Sequence, residues 1–241
     1  MNTLMKKKNE SSEQLNIQLF LLCMLAALLC RRLGKISSLR IICGMLRTMI
    51  YVGVYIGWGI SIYKRVIQKS VRNVLIFIAE LIIFWFVVRT TKYFFTMDNQ
   101  IARYLWYSYY IPMLFIPVAV LQAAFFLGKS EEYRLPKWLK GVYIPTAVLV
   151  LLVLSNDLHQ LVFSFPVGSA WSDSHYTYGW GYYVVLIWEV VCALTAFVLM
   201  IYKCRHSQKK KYLPLFGIGA AVLYAVLFIS GVAWVQEIGG D

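Results

Sequence analysis

Four ionisable residues lie inside long apolar stretches of the sequence, where a charged side chain is costly. They are Arg47, Glu80, Asp157 and Glu189. On insertion scales each such residue costs about 2.5–3.5 kcal/mol at the centre of a membrane helix, so it usually faces the bundle interior. We predict a buried charge network of Arg47, Glu80 and Glu189, in which Arg47 pairs with Glu189 or with Asp157. Such a pair either acts as a switch or only fixes helix packing.

A second polar group interrupts the fifth apolar stretch, residues 142–163. The uninterrupted part, residues 142–154, is too short to cross a bilayer, so we expect the next residues to continue the helix near the membrane surface. On such a helix Asp157 shares a face with Gln160, and Asn156 shares a face with His159 and Gln160. This concentration of hydrogen-bonding groups is typical of a ligand contact or a switch.

Aromatic residues are dense in the segments expected to lie beside this polar group. Tyr107 belongs to the fourth apolar stretch, and Tyr176 and Tyr178 precede the sixth. Tyrosine and tryptophan form belts at most membrane interfaces, so any one of them can be a belt residue. A belt does not explain the polar residues nearby. We therefore predict a ligand-binding or switch site, whose candidates are Tyr107, Asn156, Asp157, His159, Gln160, Tyr176 and Tyr178.

Other kinds of site receive little support from the sequence. A metal site built from Asp157, His159 and His175 is disfavoured because the spacing fixes no third ligand, so no metal is predicted. No nucleotide-binding loop, HExxH motif or Gly-x-Ser-x-Gly motif is present, and no enzyme or cofactor is predicted. A retinal protein is excluded because the last apolar stretch contains no lysine.

The composition identifies the elements that must hold these residues. Of the 241 residues, 60% are hydrophobic and 15% are charged, whereas soluble domains are about half apolar and a quarter charged. We therefore predict an all-α polytopic membrane helix bundle, because hydrocarbon provides no partner for unpaired backbone groups. Seven helices are expected, at residues 15–30, 39–63, 74–88, 104–127, 142–163, 182–202 and 213–235.

The net charge of +13 predicts an orientation rather than a nucleic-acid partner, because the basic residues lie in short clusters between the apolar stretches. Sixteen of the 24 lysines and arginines fall on the side of the N-terminus and seven on the other side. The positive-inside rule places the N-terminus in the cytoplasm. The clusters also predict contact with anionic lipids of a bacterial cytoplasmic membrane.

Small residues and prolines add two expectations. Gly53 and Gly57 form a small-xxx-small pair that is typical of close helix contact. Pro112 and Pro117 can kink the fourth helix. The five cysteines show no paired spacing that would indicate a disulfide framework or a zinc site.

Four segments resemble the seven-helix N-terminal membrane region of bacterial sensor histidine kinases. They are RYLWYSYYIPM (residues 103–113), YRLPKW (133–138), NDLHQLVF (156–163) and YTYGWGYY (176–183). The resemblance extends over about residues 40–235. It implies a membrane sensor that detects an extracytoplasmic or membrane-borne ligand and passes a helix shift to a cytoplasmic signalling module. A homodimer is one oligomeric state compatible with the sequence.

The apolar stretches and the distribution of basic residues divide the chain into three parts: a basic cytoplasmic tail (1–14), a transmembrane domain that the resemblance marks as a sensor (15–235) and a short extracytoplasmic end (236–241). Because a kinase must reach cytoplasmic ATP, we expect a further helix and a signalling module to follow this end. The alternative is a small transporter or an ion or proton channel that uses Glu80, Asp157 and Glu189. A third hypothesis is a membrane scaffold whose helices pair through small residues.

Overall fold

The computed structural model describes residues 2–34, 36, 39–92, 95, 99–165 and 176–204. Within these ranges the chain forms nine α-helices and one two-stranded hairpin. In chain order the elements are α1 (Asn2–Leu33), α2 (Arg40–Arg65), α3 (Lys69–Lys92), α4 (Asn99–Tyr107), α5 (Tyr110–Phe126), α6 (Lys137–Gly141), α7 (Tyr143–Leu154), α8 (Asn156–His159), β1 (Phe163–Ser164), β2 (Thr177–Tyr178) and α9 (Trp180–Cys204).

Prolines explain two breaks between these helices. Proline has no N–H, and its ring clashes with the carbonyl group four residues earlier. Pro112 lies four residues after Ser108, where α4 gives way to α5, and the Ser108 carbonyl instead accepts the N–H of Ile111 at 3.2 Å. Pro145 lies four residues after Gly141, the last residue of α6. Both prolines stand in the first turn of the helix that follows, where their missing N–H has no helical partner to lose.

The prediction of one helix over residues 142–163 is wrong beyond Leu154. The helix is interrupted at Ser155, resumes for a single turn and ends at Gln160, whose φ of 49° is left-handed. The chain then turns into β1, which pairs antiparallel with β2 so that Phe163 lies opposite Tyr178. The polar residues therefore belong to a helix end and a hairpin rather than to one continuous helix face.

Helix α5 is central to the packing. It contacts α3, α7 and α9, while α2 packs on α3 and α1 packs on α2. In the span containing α5, 44% of the apolar stretch is buried, compared with 6% in α2, so within the described residues α5 forms the core and α2 lies at the periphery. We call the end of the bundle where the hairpin lies and α9 begins the hairpin end, and the opposite end, where α5 and α9 finish, the loop end.

In the described part of the chain, five helical segments are long and apolar enough to cross a membrane. They correspond to the second to sixth predicted helices, at Arg40–Arg65, Lys69–Lys92, Gln100–Phe126, Lys137–Leu154 and Trp180–Lys203. The first predicted span, residues 15–30, is helical within α1 and is not among these five. The seventh, residues 213–235, lies outside the described residues. The all-α membrane bundle is confirmed, with the short hairpin as an addition.

The predicted close contact at the small-residue pair is not found in the described part of the chain. A Cβ atom added at Gly53 or at Gly57 would have no described atom within 4 Å. Gly179, in contrast, lies directly against the hairpin backbone. A Cβ there would stand 2.1 Å from the carbonyl oxygen of Leu161, while the Gly179 N–H donates to the Val162 carbonyl at 2.9 Å.

These contacts give a first prediction. Gly179→Ala should lower the thermal midpoint of the purified protein in detergent, because the methyl group would force β2 away from Leu161. We expect a loss of about 2 kcal/mol or more, measured by tryptophan fluorescence during heating. Gly53→Ala is the matched control and should leave the midpoint unchanged or slightly higher, since alanine favours a helix. Equal midpoints for the wild type and Gly179→Ala would contradict this packing.

Candidate functional site

The carboxamide of Asn156 is completely buried at the junction of α4, α8 and the hairpin. Its Oδ1 accepts the backbone N–H groups of Val162 and Phe163, each at 3.0 Å. Its Nδ2 donates to the Phe163 carbonyl at 2.8 Å and to the Tyr107 hydroxyl at 3.2 Å. All four hydrogen-bonding positions of the amide are therefore used. The side chain joins α4 to the hairpin without leaving a polar atom unsatisfied.

Asp157 lies next to this amide and forms an ion pair with Arg103. Its Oδ2 is 2.9 Å from Nη2 of Arg103, and its Oδ1 accepts the Tyr107 hydroxyl at 2.8 Å. Arg103 and Tyr107 are four residues apart on α4, so they lie on one face. The two charged side chains keep 26% and 18% of their surface exposed. Water and a ligand can therefore compete for this ion pair.

An aromatic cluster surrounds the side chain of Phe163, which is fully buried. Tyr107 lies parallel to it, with 9° between the ring planes, and Trp106 is nearest, with 4.6 Å between ring centroids. The remaining rings within about 6.2 Å belong to Tyr110, Tyr176, Tyr178 and Tyr182. Aromatic pairs at such distances add to the stabilisation that burial provides. The cluster connects α4, α5, both hairpin strands and α9.

His159 stabilises the turn between α8 and the hairpin through two hydrogen bonds. Its Nδ1 accepts the backbone N–H of Leu161 at 3.0 Å, so the ring proton belongs on Nε2. Nε2 is 3.2 Å from the Ser155 hydroxyl. Both ring nitrogens are therefore engaged within the turn, and the ring positions the backbone that Asn156 binds.

The remaining three candidates lie at the surface of the cluster. Gln160 is exposed in its left-handed conformation, and its Oε1 is 3.5 Å from the Ser164 hydroxyl. Tyr178 is exposed and stacks on Tyr182 with ring centroids 4.0 Å apart. The hydroxyls of Tyr176 and Tyr178 are 3.4 Å apart. These groups form the accessible rim of the site, whereas Tyr107, Asn156 and Asp157 form its interior.

The predicted charge network takes a different form. Asp157 pairs with Arg103 and not with Arg47. Arg47 and Arg89 instead line a cavity of about 20 Å³ between α2 and α3, beside a hydrogen bond between Thr48 and Thr90. Glu80 is exposed on α3. Arg47 therefore neighbours another arginine.

Glu189 is 4% exposed on α9, a helix that packs on α5. Its buried neighbours along the same helix are Tyr182, Val185, Cys192 and Ala196. This spacing of three and four residues defines one face. Glu189 consequently lies on the face that carries Tyr182 into the aromatic cluster, about two turns further along the helix.

The sequence comparison identifies the family. A family model described as the N-terminal 7TM region of histidine kinase matches residues 41–238. This chain belongs to that family. The resemblance noted from the four sequence segments is confirmed. No curated protein and no solved structure matches the chain.

Membership in this family indicates the role of the membrane region that holds these contacts. The 7TM region is a sensory input region of histidine kinases and not their catalytic module. Its multi-pass helices indicate an inner-membrane protein, and histidine kinases act with a cytoplasmic signalling module. Among the described residues no three His, Cys, Asp or Glu side chains are grouped to hold a metal ion. His175 lies outside them.

Sequence reasoning missed two important residues of the candidate site. Arg103 stands one residue before the fourth predicted helix, residues 104–127, and was not named as a candidate, although its spacing of four residues from Tyr107 places both on one face of α4. Phe163 was assigned to the end of a helix, and nothing in its immediate sequence predicts that it would be the centre of an aromatic cluster. Its position depends on the pairing of β1 with β2, which joins residues far apart in the chain.

The amide contacts give a second prediction. Asn156→Ala should lower the stability by about 2–4 kcal/mol, because several buried polar groups lose their partners. The measurement is the thermal midpoint in detergent. Gln160→Asn, an exposed amide four residues later that also tolerates the left-handed region, is the control and should have little effect. A similar small effect of both substitutions would show that the buried amide does not hold the hairpin.

Proposed function

We propose that the chain detects an extracytoplasmic or membrane-borne ligand at the hairpin end and passes a helix shift to a cytoplasmic signalling module. The observation that carries this proposal is the partly exposed Asp157 carboxylate, which bonds to Arg103 and Tyr107 beside the buried Asn156 amide. Tyr176, Tyr178 and Gln160 form the rim at which a ligand would first make contact. No catalytic or cofactor-dependent step is part of the proposal.

The ion pair provides a physical basis for two states. A ligand shifts a conformational equilibrium only by binding one state more tightly than the other. A ligand with a hydrogen-bond donor or a cationic group would compete with Arg103 for Asp157, and it would release α4 from α8. An anionic ligand would compete for Arg103 instead. Both routes change the same contact between α4 and α8.

Helix α9 offers the route for the shift. Tyr182 at its beginning belongs to the aromatic cluster, and Trp188 donates through Nε1 to Thr146 of α7 at 3.1 Å. At the loop end, Lys203 donates to the carbonyl groups of Phe125 and Leu127 at 2.6 and 3.1 Å. A small rotation or translation of α9 would therefore change contacts at both ends of the bundle, those of Tyr182 at the hairpin end and those of Lys203 at the loop end.

The proposal is tested by signalling output. The chain is joined, through one additional membrane helix that returns the polypeptide to the cytoplasm, to the kinase module of a characterised sensor, with a transcriptional reporter in cells. Asp157→Asn should change the basal output by about fivefold or more, because the ion pair contributes to the balance between the two states. Glu80→Gln is the matched control, since it removes an equal charge within the membrane away from the site, and its output should stay at the wild-type level.

Two outcomes would contradict the proposal. Unchanged output from Asp157→Asn, at equal protein levels, would remove Asp157 as a switch residue. Ion or proton flux through liposomes containing the purified chain, abolished by Glu189→Gln, would favour the transporter or channel. A scaffold would be favoured if bulky replacements of Gly53 and Gly57 abolished output while the site variants retained it.

The orientation is part of the proposal and is tested separately. The excess of lysine and arginine on the side of the N-terminus supports a cytoplasmic N-terminus, which places Thr177 outside the cell and Ser130 inside. In a background with the native cysteines replaced, a membrane-impermeant maleimide should label Thr177→Cys in intact cells and Ser130→Cys only after lysis. Labelling of Ser130→Cys in intact cells would reverse the topology.

A further inference from the structure

The loop end of the bundle contains a cavity of about 340 Å³ between α3, the end of α5 and the connection that follows α5. This volume falls within the range of small-ligand pockets. The cavity lies at the opposite end from the proposed ligand site and is independent of it. Its polar lining residues are Ser70, Asn73, Gln122, Tyr133, Arg134 and Lys140.

The charge of the lining has one sign. Arg134 and Lys140 both line the cavity, and among the described residues no carboxylate lines it. The two acidic residues of the same connection, Glu131 and Glu132, are exposed outside it. Two cations that approach one cavity repel each other, so an anion between them relieves the repulsion. Arginine in particular matches the geometry of phosphate oxygens.

Neutral donors complete the lining. Ser70 and Asn73 lie three residues apart on α3, so they project from one face. The Oε1 of Gln122 accepts the hydroxyl of Tyr143, which leaves the Nε2 of Gln122 available as a donor. Hydroxyl and amide donors beside two cations favour a tetrahedral oxyanion with several acceptor atoms, and not a single halide ion.

One wall of the cavity is packed against the bundle. The Tyr133 ring packs edge-on against Phe126, with ring centroids 6.3 Å apart, and the Nζ of Lys129 lies 5.3 Å from the Tyr133 ring centroid. Leu135, also part of the lining, is buried in the apolar cluster at this end. The apolar part of the lining is therefore packed in place, while the side chains of Arg134 and Lys140 are exposed.

We propose that this cavity binds a phosphate group. The group belongs either to the head group of an anionic phospholipid or to a small soluble phosphate ester, since both present the same oxygens to Arg134 and Lys140. Basic pockets between membrane helices are known to hold lipid head groups. The adjacent carbonyl groups of Phe125 and Leu127 are bound by Lys203 of α9. Occupancy of the pocket would therefore stabilise the packing of α5 against α9.

The test uses the purified chain in nanodiscs of phosphatidylcholine. Phosphatidylglycerol is added in steps in one arm and glycerol 3-phosphate in the other, and the thermal midpoint reports binding. The pocket variant is Arg134→Gln with Lys140→Gln. The control variant, Lys64→Gln with Lys137→Gln, removes the same charge from exposed residues at the same end of the bundle. Ser70→Trp fills the cavity without changing the charge.

We expect the midpoint of the wild type to rise with at least one of the two phosphate compounds. The apparent affinity should fall by about tenfold or more in the pocket variant, as expected for the loss of charge-assisted contacts. It should also fall in Ser70→Trp and persist in the control variant. A response to phosphatidylglycerol alone identifies a lipid head group, and a response to glycerol 3-phosphate identifies a soluble ester.

Two results would overturn the proposal. The first is that neither compound raises the midpoint of the wild type. The second is that the pocket and control variants lose affinity equally, which would reflect attraction to the basic surface alone. Midpoints measured in phosphatidylcholine without added phosphate compounds separate a binding defect from unfolding, because Ser70→Trp and the pocket variant should each keep a cooperative transition.

Discussion

The structure of the hairpin end depends on one buried amide. Asn156 binds the backbone of two consecutive residues on one side and a tyrosine hydroxyl of α4 on the other. In a membrane protein the backbone of a chain that leaves a helix must find partners within the protein, because lipid offers none. The Asn156 side chain supplies those partners for Val162 and Phe163. The helix can therefore end near the membrane surface while the hairpin folds back over the bundle and brings its aromatic residues together.

The pattern of apolar residues predicted the five described spans because hydrocarbon imposes a length and a composition that few soluble segments share. The breaks within those spans were partly predictable. Pro112 was recognised as a source of a kink, and the break before α5 follows from its missing N–H. The end of the fifth helix was not predicted. Residues 155–160 carry no proline or glycine, and the chain turns at Gln160 because the hairpin contacts of Asn156 and His159 compensate for its left-handed conformation.

The candidate site was predictable to the extent that it is local. Asn156, Asp157 and Tyr107 were selected because polar groups are costly in apolar stretches, and the structure brings the three together. The free-energy cost of a charge in an apolar stretch does not identify the partner of Asp157. From helix order alone, either Arg47 or Arg103 could reach its carboxylate. The choice depends on the rotation of α4, which the aromatic packing around Phe163 determines. Such packing joins segments that are distant in sequence, and no local pattern encodes it.

The same packing explains how the two ends of the bundle can influence each other. Helix α9 presents Tyr182 and Glu189 on one buried face, and its other end is fixed by Lys203 to carbonyl groups at the end of α5. Close-packed helices move as units because their side chains interdigitate. Under the proposed function, a change in the contacts of Tyr182 would displace α9 against α5. The carbonyl groups bound by Lys203 belong to the end of α5, whose Phe126 lines the basic cavity. A displacement at the hairpin end would therefore alter that cavity, and a phosphate group bound there would resist the displacement. Linkage requires this coupling to be reciprocal.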